Sequence, residues 1–171
     1  MTRRNPAVVL PLLIALTCVA MLAGALFCQH VLGWEPCTLC IQVRLWLCLS
    51  TFLALLLSAA AAVRQNWLGF ILWPLLLGTS AMAVVDNAHL VLIEQGVMEI
   101  FTCSPFPFYT SYLPLHEYLP SVFMSGGVCG ENVYTLFAVP FSMWTLLGVA
   151  GLFLLTLFST WSSIRSARSR G

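Results

Sequence analysis

The chain contains no lysine, and charge of either sign is scarce: 8% of its 171 residues are Asp, Glu, Lys or Arg, while 60% are hydrophobic. Soluble domains carry about 25% charged residues. A soluble fold of this length could not cover so much apolar surface with so few charges, so the composition points to the bilayer as solvent. No basic run supports a nucleic-acid partner, and no glycine-rich loop is present to cradle a phosphate. Cysteine, by contrast, is plentiful: there are 7, so redox chemistry or metal binding has to be considered.

Four stretches lack any charge and are long enough to cross a membrane: Ala7–Phe27, Leu45–Val63, Trp67–Val85 and Phe141–Trp161. About 20 residues rising 1.5 Å each match a hydrocarbon core of about 30 Å. The spans have to be helices, because an isolated strand in lipid would leave its backbone polar groups unpaired. Pro11 near a helix start is tolerated, and the more interior Pro74 is expected to kink the third helix. The expected fold class is an all-α membrane protein. It is a four-transmembrane-helix bundle forming a single domain over residues 1–171, with outer loops at about 28–44 and 86–140.

Orientation follows from arginine. Arg3 and Arg4 precede span 1, Arg64 links spans 2 and 3, and Arg165, Arg168 and Arg170 follow span 4. All six fall on one side, which the positive-inside rule makes cytoplasmic. The acidic residues Glu35, Asp86, Glu94, Glu99, Glu117 and Glu131 fall in the opposite segments or at their edges. An alternative for span 1 is a secretory signal, since Ala23-Gly24-Ala25 resembles a cleavage site. Its apolar run exceeds the ~7–15 residues of a signal core, and Phe27 suits a lipoprotein site at Cys28 poorly, so the span is expected to be retained.

Four cysteines lie outside the spans, all on the outer side: Cys37 and Cys40 in the first loop, Cys103 and Cys129 in the second. That side permits disulfides, whereas the cytosol keeps thiols reduced. Cys18 and Cys48 within spans, and Cys28 at the outer end of span 1, read as small buried hydrophobes. In the first loop Pro36 suits the start of a helix continuing into span 2. Cys37 and Cys40 then share one face, and a thiolate in that first turn is stabilised by unpaired backbone N–H groups and the helix dipole. Arg44 lies one turn beyond Cys40 on the same side. It is the one arginine that breaks the charge rule, which favours a functional role over simple snorkelling. It can favour the Cys40 thiolate or donate to a ligand oxygen.

C-x-x-C also occurs in zinc sites and structural bridges. A structural zinc site usually brings a second close pair, whereas Cys103 and Cys129 stand far apart in apolar, aromatic sequence, so no metal site is expected. The second loop is too long for a mere connector. Leu115–Met124 mixes apolar and polar residues and is expected to form a short amphipathic surface helix. Ser125–Gly130 is flexible by composition and could let Cys103 reach a soluble partner while Cys129 moves toward the first pair. A simple Cys103–Cys129 staple is the alternative.

These features resemble the bacterial disulfide-bond-forming protein B family. The carrying residues are Pro36-Cys37-Thr38-Leu39-Cys40-Ile41 with Arg44, then Cys103, Leu113-Pro114-Leu115, Pro120-Ser121-Val122-Phe123, and the glycine-then-Cys129 segment before span 4. The resemblance covers nearly the whole chain. It implies an inner-membrane enzyme with cytoplasmic termini and periplasmic redox loops. Such an enzyme reoxidises a periplasmic, thioredoxin-fold donor of the A type and passes electrons to ubiquinone or menaquinone in the membrane pool. It implies that Cys103 is attacked by the donor, that Cys129 then attacks Cys37, and that Cys40 is left as the thiolate facing the quinone, with Arg44 on a quinone oxygen. Relatives carry a polar or basic residue near the outer end of span 3, where His89 is the candidate quinone neighbour here. Val43 stands where an acidic residue is common. Two other functions are weighed against this: a membrane thiol reductase of the epoxide-reductase type, whose C-x-x-C sits in a later helix, and a scaffold with two structural disulfides.

Overall fold

The computed structural model describes residues 6–63, 65–99, 103–131 and 133–168. Arg3, Arg4, Arg64 and Arg170, which enter the expected orientation, lie outside them, as does the side chain of Arg168.

Four long helices dominate: α1 (Pro6–Leu32), α2 (Thr38–Ala62), α3 (Asn66–Glu94) and, after the second loop, α6 (Phe141–Arg168). Stretches of 25 to 28 residues within them are long and apolar enough to cross a membrane. The protein is therefore a multi-pass membrane protein. α2 packs on α1 and α3, and α6 packs on α3 and closes against α1. Ile14, Leu47, Leu57, Leu76, Val149 and Leu152 meet at the bundle centre. Small side chains between them (Ala54, Ala83, Ser50, Ser80) let the backbones approach, which dispersion in lipid rewards. Leu16, Phe52, Phe70 and Phe158 point outward and are exposed, the inverse of a soluble bundle. Ser and Thr hydroxyls bond within the bundle, either to the carbonyl one turn back, as Thr156 does to Leu152, or across helices, as between Ser50 and Thr79 at 2.9 Å. Cys18 is fully buried in this core, and Pro11 is buried inside α1.

The helices run beyond the charge-free stretches at their outer ends, and the polar residues there explain why. α1 continues through Gln29, which accepts from Arg44, and His30, whose ring is 3.0 Å from the Ser121 carbonyl. α3 continues past Asp86, which accepts from the Trp46 indole at 2.7 Å, to Glu94, which accepts from Ser142. Each polar group has a partner on another segment, so the helix need not end where the apolar run ends.

The outer loops differ from expectation in three places. α2 starts at Thr38, so Cys37 is its N-cap and Pro36 stands before the helix, not in its first turn. The expected single helix over 115–124 is two turns, α4 (Leu115–Tyr118) and α5 (Pro120–Phe123). Leu119 between them adopts φ −134 and ψ 63, because a residue preceding proline is pushed out of the helical region. A small antiparallel hairpin, unforeseen in an all-α reading, pairs β1 (Thr135–Leu136) with β2 (Val139–Pro140) just before α6. Its turn residues Phe137 and Ala138 both have positive φ.

Candidate functional site

Gly33 turns the chain at the end of α1. Its φ of +68 suits glycine, and the Trp34 N–H returns to the Cys28 carbonyl at 3.1 Å. The chain then crosses the bundle end as Trp34-Glu35-Pro36 and enters α2 at Cys37. Trp34 stacks on Tyr134 with centroids 4.9 Å apart and meets Phe141 edge-on, while the Tyr134 hydroxyl accepts the Glu35 N–H at 3.0 Å. The first cysteine loop is thus clamped to the segment that follows Cys129.

The sulfurs of Cys37 and Cys40 lie 2.9 Å apart as a hydrogen-bonded pair of thiols. The bond with Cys40 and the backbone N–H groups of Cys40 and Leu39 pull the Cys37 thiol below its ordinary value, while burial and the Glu94 carboxylate push the other way. Cys103 and Cys129 are joined by a disulfide with Cα atoms 6.3 Å apart. Cys37 and Cys129 are both buried in one apolar cluster with Leu39, Leu90 and Ile93, and Cys40 and Cys103 pack against it. The four outer cysteines, far apart in sequence, are brought together.

The segment before Cys129 is held, not loose. The N–H groups of Gly126 and Gly127 both point to the Pro36 carbonyl, at 3.2 and 3.3 Å. A Cβ on Gly127 would sit 3.1 Å from the Glu35 carbonyl oxygen. Glycine here allows two backbones to touch.

Arg44 is buried one turn inside Cys40. Its guanidinium donates to Gln29 Oε1, to the Val122 carbonyl at 2.9 Å and to the Ala25 carbonyl at 3.4 Å. These partners are neutral, so its charge remains available to the adjoining space. Tyr109 packs with Phe123 and Ile41 behind this site, and burial pushes its phenol up to about 12.

Cys37, Cys40 and Arg44 line a partly open cavity of about 410 Å³ between α1, α2, α3 and α6. Met21, Phe27, Leu47, Leu90 and Trp144 make its walls largely apolar. Size and lining suit a flat apolar ring with a few polar atoms. Asn87, Glu94, Ser142 and Thr145 add a polar strip that the sequence reading did not single out. The signal for them was present: Asn87 and Glu94 are seven apart on α3, hence on one face, and Ser142 and Thr145 are three apart on α6. His89 is not among the lining residues. Two positions from Asn87, it stands about 200° around the helix from it. Cys28 lines the cavity, and Cys48 packs against the Ile41–Tyr109–Phe123 cluster.

Membrane-crossing helices that gather two cysteine pairs at one end define a membrane oxidoreductase acting on disulfides. The chain belongs to the family of disulfide bond formation protein DsbB, whose family profile matches residues 7–159. It is 35% identical over 135 residues to disulfide bond formation protein B of Shewanella loihica, covering 77% of this chain and 76% of that one. It is 34% identical over 155 residues to disulfide bond formation protein B 1 of Burkholderia lata, covering 88% and 86%. A relative from Pseudomonas aeruginosa, disulfide bond formation protein B 2, is 33% identical over 137 residues, covering 78% of each. The protein is thus a membrane protein of disulfide-bond formation.

Proposed function

We propose that the protein oxidises a periplasmic thioredoxin-fold donor of the A type and delivers the electrons to a membrane quinone, from the inner membrane and with its cysteine loops in the periplasm. The observation that carries this reading is the placement of the Cys37–Cys40 pair between the Cys103–Cys129 disulfide and a cavity that also holds Arg44.

The chain's residues divide the work. A donor thiolate attacks Cys103, which is only half-buried, breaking its bond to Cys129 and releasing the Cys129 thiolate. With Cys37 and Cys40 joined, Cys129 attacks Cys37 and frees the Cys40 thiolate. The donor's second thiolate then resolves its mixed disulfide and leaves oxidised. The released Cys103 thiolate re-forms the bond to Cys129, and Cys37 joins Cys40 as a dithiol. A quinone, when bound, takes up two electrons and two protons and so restores the Cys37–Cys40 bond. Arg44 supplies donors for a quinone oxygen, and the apolar walls hold the ring and exclude water.

The test mixes purified protein with a reduced C-x-x-C donor and ubiquinone-1 and follows quinone reduction. Cys40→Ser is expected to abolish it. Arg44→Ala is expected to weaken quinone affinity about 10- to 100-fold, the range of a lost charged hydrogen bond. Cys103→Ser is expected to block turnover with the donor while Cys37 and Cys40 still react with quinone. Wild-type protein that binds quinone yet reduces none of it in the presence of the donor would overturn the reading.

A further inference from the structure

Cys129 is bracketed by contacts with the three residues that precede Cys37. Ahead of it, the N–H groups of Gly126 and Gly127 reach the Pro36 carbonyl, and the Glu35 side chain lies against Gly126, where a Cβ would stand 3.3 Å from its carboxyl group. Behind it, Tyr134 stacks on Trp34 with the rings 7° from parallel, and the Tyr134 hydroxyl accepts the Glu35 N–H. Tyr134 is itself fixed to the start of α6: its carbonyl accepts the Phe141 N–H at 2.8 Å, and the Phe141 ring meets Trp34 edge-on. Between the two brackets Cys129 is 1% exposed and shares an apolar cluster with Cys37.

None of these contacts passes through Cys103. The segment that follows Cys103 is tied to other points of α2: the Thr38 hydroxyl donates to the Pro105 carbonyl at 3.3 Å, and Phe108 stacks on Trp46 with centroids 5.5 Å apart. A donor that draws Cys103 into a mixed disulfide therefore leaves the bracket around Cys129 in place. A glycine-rich stretch such as Ser125–Gly130 has much backbone freedom to lose on ordering. Docking on both sides of Cys129 removes that freedom before the reaction instead of during it.

We propose that Trp34 and Tyr134 are positioning residues for the transfer between the two cysteine pairs, holding Cys129 against Cys37 once Cys103 has left it. The inference rests on the transfer step of the reading above. In that step the Cys129 thiolate attacks the Cys37 sulfur. A Cys129–Cys37 bond forms, the Cys37–Cys40 bond breaks, and the electron pair leaves on Cys40 as a thiolate. The exchange needs no outside oxidant, so placement of the attacking sulfur is what the fold contributes to it.

The experiment measures the effective concentration of one thiol at the other, in full-length purified protein equilibrated with reduced and oxidised glutathione. A Cys40→Ser/Cys103→Ser background leaves Cys37 and Cys129 to pair. A Cys103→Ser/Cys129→Ser background leaves Cys37 and Cys40 as the control pair, and peptide mass mapping identifies each bond. The Cys37–Cys129 value is expected to lie well above the roughly millimolar level of a flexible tether. Trp34→Leu is expected to lower it about five- to tenfold, the loss of a stacked aromatic pair. Tyr134→Phe keeps the ring but not the acceptor for the Glu35 N–H and is expected to lower it about threefold; it carries the test should Trp34→Leu fail to fold. The control pair is expected to stay within about twofold in both variants. A value at the level of a flexible tether, one unmoved by Trp34→Leu and Tyr134→Phe, or an equal fall in the control pair would overturn the role of Trp34 and Tyr134 while leaving transfer between the pairs standing. A parent that forms no Cys37–Cys129 bond in oxidising buffer would sink both.

Discussion

Cys37 owes its acidity to donors that converge on one sulfur: the Cys40 thiol and the N–H groups of Cys40 and Leu39. Burial and Glu94 oppose them. Because the folded value is lowered, the thiolate is favoured above the unfolded pKa, and that advantage is lost as pH falls through the folded value. In reduced Cys103→Ser/Cys129→Ser protein, the rate of Cys37 alkylation by iodoacetamide is expected to titrate with a midpoint below that of an ordinary thiol. Cys40→Ala should raise the midpoint, and Glu94→Gln should lower it further. A midpoint unmoved by Cys40→Ala would assign the acidity to the helix start alone. At this scale the sequence was informative wherever residue type and spacing define chemistry, as with Cys37, Cys40 and Arg44. It did not single out Asn87 and Glu94, whose shared face is visible in their spacing, because a polar residue at the edge of an apolar run looks like a boundary until its partner on another helix is known.

The long helices were legible because lipid demands length, apolarity and internal hydrogen bonding, all of which are local in sequence. The loops were less so, because non-local contacts decide much of them. Leu115–Met124 has the composition of one amphipathic helix, and a single proline divides it. The hairpin turn at Phe137-Ala138 lacks the Gly, Asn or Asp that usually announces one. Ser125–Gly130 has the composition of a flexible linker, yet Pro36 and Glu35 hold its glycines. That contact yields a prediction for the element as a whole. Gly127→Ala puts a Cβ 3.1 Å from the Glu35 carbonyl oxygen, closer than ordinary van der Waals contact, so one of the two backbones has to give by a few tenths of an ångström. The segment should shift and carry Cys129 away from Cys37. In quenched-flow experiments with reduced donor, the mixed disulfide at Cys103 should form at the wild-type rate, while release of oxidised donor slows several-fold. Unchanged release would mean that transfer does not need this docked position.

For the whole molecule, the two ends of the bundle are unlike in chemistry. One end gathers the four loop cysteines, the clamped aromatic residues and the cavity. At the other, Arg165 packs its guanidinium 5.2 Å over the Trp161 ring, and the sequence carries further arginines next to the spans on that side. A membrane with anionic lipids and an inside-negative potential favours the arginine end in the cytoplasm, and disulfide chemistry favours the cysteine end outside. The two arguments are independent, and both support the proposed orientation. Gln65 lies in the α2–α3 link and Ser111 in the second loop, and both are exposed. In intact cells stripped of their outer membrane, a membrane-impermeant maleimide is expected to label Ser111→Cys above the background of the unsubstituted chain. Gln65→Cys should be labelled only after the inner membrane is opened. The reverse pattern would place the cysteine pairs in a reducing compartment, where the Cys103–Cys129 bond could not persist, and oxidation of a periplasmic donor would then have to be abandoned.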